Sequence, residues 1–286
     1  MRAGRWTGVA VGALALAIVP GALQLLPERT GIERVSPTPM GMAEAAPAPS
    51  MAPPSQPEEP IIPPDDGLTG ELAPVVPAPA PYVAARRGGP GDVFALVVGI
   101  NDYPGSRSDL RAAVADADTV DAALSGFGVP AANRVVLRDG QARRGQLVAS
   151  IRALVATAGS GSTVVFAYAG HVRKLGRSTE AIVAADGGLL RDDELAALLA
   201  PLTTQSVWLL MASCYAGGFT EALAPGRILT AAADANSLAY ESPALNGSYL
   251  VHHMVREGWL EGRAGSSVQE AFAYAQARIN ELYPNR

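Results

Sequence analysis

The sequence predicts an α/β domain built on a mostly parallel sheet with helices on both faces. Three apolar runs predict the sheet: 93–100 (Val-Phe-Ala-Leu-Val-Val-Gly-Ile), 163–169 (Thr-Val-Val-Phe-Ala-Tyr-Ala) and 207–211 (Val-Trp-Leu-Leu-Met). Each runs without a polar break and is bounded by turn signals, the pattern of a strand buried on both faces. The segments between them repeat apolar residues at three and four positions, the period of an amphipathic helix. Strands alternating with helices at this spacing imply parallel strands joined by helical crossovers.

Taken in order, the chain opens with Arg2 and Arg5 ahead of residues 6–26, which carry no charge. About 20 apolar residues suffice to cross a bilayer. Residues 1–26 therefore read as an uncleaved membrane anchor, or as a signal segment cut near Pro20-Gly21-Ala22. Either reading exports the body of the protein, so that the domain is membrane-anchored on the extracytoplasmic side or secreted. Residues 27–90 are dense in Pro and Ala without periodicity and are expected to be a disordered, extended linker. The folded domain is expected over residues 91–286.

Within it, the first strand is followed by a helix expected over 109–127, with Leu110, Val114, Ala117, Val120, Leu124 and Phe127 on one face. A short strand at 134–137, a turn at Asp139-Gly140 and a helix over 143–158 come next. The 163–169 strand leads to Gly170-His171. A short strand at 180–185 and a helix at 192–199 with an acidic first turn follow, the acid suiting the positive end of a helix dipole. The 207–211 run ends at Ala212-Ser213-Cys214, then Gly217-Gly218 turns the chain. A helical turn near 219–223, a strand at 227–232 and a helix at 248–256 lead to Ser267-Val268-Gln269-Glu270. That tetrapeptide is a capping box opening the last helix.

Two core strands thus each deliver one reactive residue, His171 and Cys214, at a C-terminal end. Open α/β sheets place their sites there. Composition narrows the chemistry further. The 22 Lys+Arg against 27 Asp+Glu give a mildly acidic chain with no basic run, so nucleic acid is not an expected partner. One cysteine excludes an intrachain disulfide and a multi-cysteine metal site. His252 and His253 are expected to be a surface pair pointing to different sides of a helix, a poor metal pair. No metal or cofactor is expected, and no Gly-x-Ser-x-Gly elbow supports a serine hydrolase.

The segments Val-Val-Gly-Ile-Asn-Asp-Tyr, Asp-Leu-Arg-Ala-Ala-Val-Ala-Asp-Ala, Tyr-Ala-Gly-His and Ala-Ser-Cys-Tyr-Ala-Gly-Gly occur in that order. Together they resemble the caspase-like cysteine peptidases, above all the prokaryotic caspase homologues and metacaspases, over about residues 93–283. The resemblance implies a cysteine endopeptidase acting on peptides or proteins, with Cys214 as nucleophile and His171 as base. It implies an oxyanion hole made by the backbone N–H groups of Cys214 and Val172. Val172 stands where the family usually has Gly, and a β-branched residue disfavours the φ > 0 conformations that Gly allows. Ala212 stands where metacaspases often carry an acid, and Tyr215 where animal caspases carry an Arg. Asp116 matches a metacaspase acid, and Asp234 lies past the 227–232 strand. These two are the candidate substrate-binding acids, implying cleavage after Arg or Lys. Some metacaspases depend on calcium, but no calcium loop is spelled here. The alternative is a catalytically silent caspase-like module that binds partners.

Overall fold

The computed structural model describes residues 88–283, together with short strands at β1 (Ala15–Ile18) and β2 (Glu59–Pro60). Apart from those strands and residues 88–90, the expected anchor or signal segment and the linker lie outside the described residues. No helix among the described residues is long and apolar enough to cross a membrane.

The remaining strands are β3 (Val93–Gly99), β4 (Arg134–Arg138), β5 (Thr163–Ala169), β6 (Val172–Lys174), β7 (Glu180–Val183), β8 (Leu189–Arg191), β9 (Ser206–Ala212), β10 (Arg227–Ala231), β11 (Tyr240–Ser242) and β12 (Gly247–Ser248). The helices are α1 (Ala113–Gly126), α2 (Arg144–Thr157), α3 (Asp192–Leu199), α4 (Tyr249–Val251) and α5 (Val268–Leu282). Between α4 and α5, His252–Leu260 forms a π-helix.

The central sheet has the order β1-β10-β9-β5-β3-β4. β4, β3, β5, β9 and β10 are mutually parallel, and β1 lies antiparallel against β10. The interior strands β3, β5 and β9 are the three apolar runs, and Leu96, Phe166 and Leu209 are completely buried. Helices cover the sheet in two groups. α1 packs with the π-helix, which packs on α5; α2 packs on α3, which meets the 3-10 turn Ala216–Ala222. Trp208 of β9 meets Trp259 edge-on with ring centroids 5.3 Å apart, and Phe127 meets the same ring at 5.2 Å. Buried Arg227, at the start of β10, donates to the carbonyls of Leu199 and Leu202. It thereby ties the end of α3 and the loop after it to the start of β10.

The observed elements depart from the sequence reading in three places. α1 begins at Ala113, later than expected, because the Asp109 carboxylate is used elsewhere: it accepts the Tyr103 N–H at 3.0 Å. The expected helical turn is replaced by Leu110 N–H donating to the Asn101 carbonyl and by Glu241 accepting from Arg111 and Ala112 N–H, each at 3.0 Å. β6 and β8 complete a second, antiparallel sheet with β7. Each spans three residues, too few to show a period. The helix expected over 248–256 continues as the π-helix to Leu260, while Ser248 caps it by accepting the Val251 N–H at 3.2 Å.

The surface reading of His252 and His253 is corrected. His253 is buried, its Nδ1 lies 2.8 Å from Glu257 Oε2, and His252 Nε2 lies 3.9 Å from Glu257 Oε1. Neighbours on an α-helix point apart. The wider π turn also brings positions i and i+5 together, so both rings converge on one carboxylate.

Candidate active site

β5 and β9 are adjacent parallel strands, and Ala169 is the register partner of Ala212 on their last shared rung. His171 and Cys214 each lie two residues beyond that rung, at the carboxyl edge. Neighbouring strands run about 4.8 Å apart, so both residues follow directly on neighbouring strand ends. Gly170 makes the bend possible. A Cβ there would lie 2.5 Å from the Tyr168 hydroxyl and 2.6 Å from that of Tyr103.

Those hydroxyls build the histidine's seat. Tyr103 Oη accepts the His171 backbone N–H at 2.8 Å, and its ring lies 4.6 Å from the imidazole centroid. Tyr168 Oη donates toward the carbonyls of His171 at 2.7 Å and Val183 at 2.9 Å. The ring itself is oriented by the Ser108 carbonyl, 2.7 Å from Nε2. A carbonyl can only accept, so Nε2 carries the proton and Nδ1 is the lone-pair nitrogen. That Nδ1 is buried and has no hydrogen-bond partner. Burial drives the histidine pKa down to about 4, so the imidazole is neutral at physiological pH.

Ser108 and Tyr103 belong to the loop after β3, which three side chains hold. Asp139 Oδ1 accepts from Asn101 and Asp102 N–H at 2.7 and 3.1 Å, Asp109 accepts from Tyr103, and Asn101 Oδ1 accepts from Val114 N–H. Sequence reasoning passed over Ser108 and gave Tyr103 no role, although Tyr103 ends one of the quoted motifs. A backbone carbonyl that orients a ring leaves no signature in residue type.

Cys214 is 0% exposed. Ala239 N–H donates to its Sγ at 3.2 Å, and burial pushes the thiol pKa up to about 12. The chain then turns through Tyr215, whose φ of 55° is left-handed, a rare state outside glycine. Gly218 follows because a Cβ would lie 2.3 Å from the Glu180 carboxyl carbon. Val172 opens β6 as the partner of Ile182 and is not among the positive-φ residues. Its backbone is strand-like, where a β-branched side chain is at home, so the departure from glycine costs nothing locally.

The candidate acids belong to different elements. Asp116, in the first turn of α1, is 3% exposed, and both its oxygens accept the Ser248 N–H, at 3.0 and 3.1 Å. Burial raises its pKa to about 7. Asp234 is half-buried in the loop after β10, where a Cβ on Gly217 would meet its Cα at 2.9 Å. It therefore borders the turn that follows the cysteine.

His252, His253 and Glu257 are the group among the described residues whose donor atoms lie within 4.8 Å of one another. Glu257 already accepts from Tyr274 Oη at 3.2 Å and Arg263 Nη1 at 3.3 Å, with Arg278 Nε at 3.8 Å. Two guanidinium groups on the shared carboxylate make this a packing network and a poor cation seat.

The model of the caspase domain family matches residues 92–280. The chain belongs to the caspase domain family. A search of curated proteins finds no match to it. Similar solved structures include protein GSU0716 from Geobacter sulfurreducens, at 25% identity over 43% of this chain and 50% of that one, with a TM-score of 0.39. The chain thus spans half the length of that protein. Caspase-1 from Spodoptera frugiperda is 15% identical over 65% of this chain and 75% of that one, with a TM-score of 0.46.

Proposed function

We propose that this caspase domain is a cysteine endopeptidase working through a Cys214–His171 dyad. The observation that carries the reading is the unpartnered Nδ1 of His171, held in its tautomer by Ser108 at the strand end beside Cys214. In this scheme Nδ1 takes the thiol proton as Sγ attacks the scissile carbonyl, and returns it to the leaving amine. The backbone N–H groups of Cys214 and Val172 would stabilise the oxyanion, each worth about 3 kcal/mol of barrier.

Cleavage after Arg or Lys is the specificity that the two acids support. Asp234 borders the nucleophile turn and can meet a cationic side chain directly. Asp116 is covered by the Ser248 backbone, so its use requires β11 and β12 to shift. With Ala212 carrying no acid, discrimination is expected to be modest. The uncharged residues 6–26 support tethering to a membrane, with the domain on the far side from the cytoplasm, or secretion if the segment is cleaved. In the tethered form the intact chain sediments with membranes, and deleting residues 1–26 releases it. Full-length chain found wholly in the soluble fraction excludes the anchor.

The catalytic test is a fluorogenic panel with Arg, Lys, Asp, Asn and Leu at the cleaved position. Cys214→Ala and His171→Ala are each expected to lose turnover by 10³-fold or more, the scale of removing a triad member. Retained turnover in either folded variant rejects the dyad. A preference for Asp or a neutral residue rejects the basic pocket. The complete burial of Cys214, with its pKa near 12, favours a second reading, a silent caspase-like binding module. That reading expects no turnover by the wild type on any panel member.

A further inference from the structure

Cys214 is covered by a segment of its own chain. Residues 233–239, between β10 and β11, lie along the turn that follows the thiol. Gly217 N–H donates to the Ala233 carbonyl at 2.9 Å, Tyr215 N–H to the Ser237 carbonyl at 2.9 Å, and Ala239 N–H to Cys214 Sγ at 3.2 Å. The segment makes its own turn, with Asp234 Oδ1 accepting the Asn236 N–H at 2.7 Å. The ends of the segment, Ala233 and Ala239, are buried and Leu238 packs on the core, whereas residues 234–237 are half-buried or exposed and carry no large apolar side chain.

The segment is fastened from the neighbouring small sheet. The Lys174 ammonium, at the end of β6, donates to the Ala235 carbonyl and to Asn236 Oδ1 at 2.8 Å. Glu180 Oε1 of β7 lies 3.4 Å away, and the Tyr215 ring centroid 5.9 Å. The ammonium thus donates to two acceptors of the segment, with the Glu180 carboxylate beside it as the counter-charge. Glu180 is 1% exposed, so its attraction for the ammonium is weakly screened.

We propose that residues 233–239 form an occluding strap over Cys214, that Lys174 is its buckle, and that the thiol reacts only when the strap lifts. This rests on Cys214 being the working nucleophile. The domain as folded is then a latent form, and its activity is the product of an opening equilibrium and the chemistry of the open state. A substrate or regulator that competes for the buckle's acceptors shifts that equilibrium.

Alkylation by iodoacetamide, followed by mass spectrometry of the full chain, reads the opening directly, since Cys214 is the only cysteine. Wild type is expected to label far more slowly than the urea-unfolded chain. Lys174→Met keeps the aliphatic stem and removes the charge; Asn236→Ala removes one acceptor and leaves the Lys174–Glu180 pair intact. Asn236→Ala is expected to label about tenfold faster, the effect of losing one charge-assisted hydrogen bond, and Lys174→Met, which loses both bonds to the strap, at least as fast. The double variant should gain no more than the larger single effect, because both open one fastening. Urea below the unfolding transition should barely change these rates, because lifting a strap exposes little surface. Arg191→Gln, on the exposed β8 pair with Asp193, should have no effect. Equal rates in wild type and both variants overturn the strap, as does a variant rate that climbs with urea as steeply as global unfolding. Peptide turnover measured in parallel reports on the nucleophile separately. Faster labelling without turnover keeps the strap and removes the peptidase reading.

Discussion

Tyr103 does more for the histidine than its place in a loop suggests. Its hydroxyl accepts the His171 N–H, and its ring lies beside the imidazole, so it fixes both the backbone and the plane of that residue. Tyr103→Phe keeps the ring contact and removes the acceptor. A buried N–H left without a partner costs about 1–3 kcal/mol. The variant is expected to lose that much stability in urea titration and to lower turnover, while keeping the fold by circular dichroism. Unchanged stability would mean that another group takes over the N–H. His171 and Cys214 were singled out by their place at two strand ends and by the resemblance of their motifs. Ser108 was not, since the site uses only its carbonyl.

Among the elements, α1 shows how a helix is placed by something distant in the chain. Its N-cap, Ala112, has no side-chain oxygen to offer. Glu241, from β11, supplies both oxygens to the N–H groups of Arg111 and Ala112, and Asp116 one turn later grips Ser248. A carboxylate at a helix N-terminus gains from the macrodipole as well as from the bonds. Glu241→Ala is therefore expected to cost about 2–4 kcal/mol, the loss of the acceptor of one buried and one part-buried N–H. Glu241→Gln, with one carbonyl oxygen remaining, should cost less. Urea midpoints for the two variants check the order; equal losses would mean that the carboxylate acts by charge alone. The same coupling ties α1 to the segment that ends the strap. The π-helix belongs to this scale too. Its convergence of His252 and His253 on Glu257 depends on a backbone winding that residue spacing alone does not announce.

Across the whole molecule, burial of ionisable groups sets the pH range of stability. His171, His252 and His253 have lowered pKa values, all chiefly through burial. The unfolded chain binds those protons first, so their contribution is lost as pH falls below about 6.5. Asp116 works in the opposite direction. With a folded pKa of about 7 it binds its proton more tightly when folded, and that contribution is lost as pH rises from about 4 to 7. On the alkaline side Cys214 holds its proton to about pH 12 in the folded chain, while the unfolded thiol ionises near 9. Stability must therefore fall above pH 9. Cys214→Ala removes this dependence and should gain about 2–3 kcal/mol on wild type between pH 8 and 11, at 1.36 kcal/mol per unit. Urea unfolding at the two pH values tests this, and parallel curves for the two proteins would contradict it.

The central sheet was readable from the chain because burial on both faces forces uninterrupted apolar runs, and its outer helices because one buried stripe forces a three-and-four repeat. The placement of His171 and Cys214 just past two strand ends was readable for the same reason: the strands are in register at Ala169 and Ala212 and carry the chain to one edge. The small antiparallel sheet, the Ser108 carbonyl, the burial of Asp116 under Ser248 and the strap over the thiol emerged only from the fold. Each depends on backbone groups, which every residue shares, or on contacts between segments up to 132 residues apart. Residue type and spacing record which side chains are buried. They do not record where a backbone donor finds its acceptor, and that is what holds this cysteine closed.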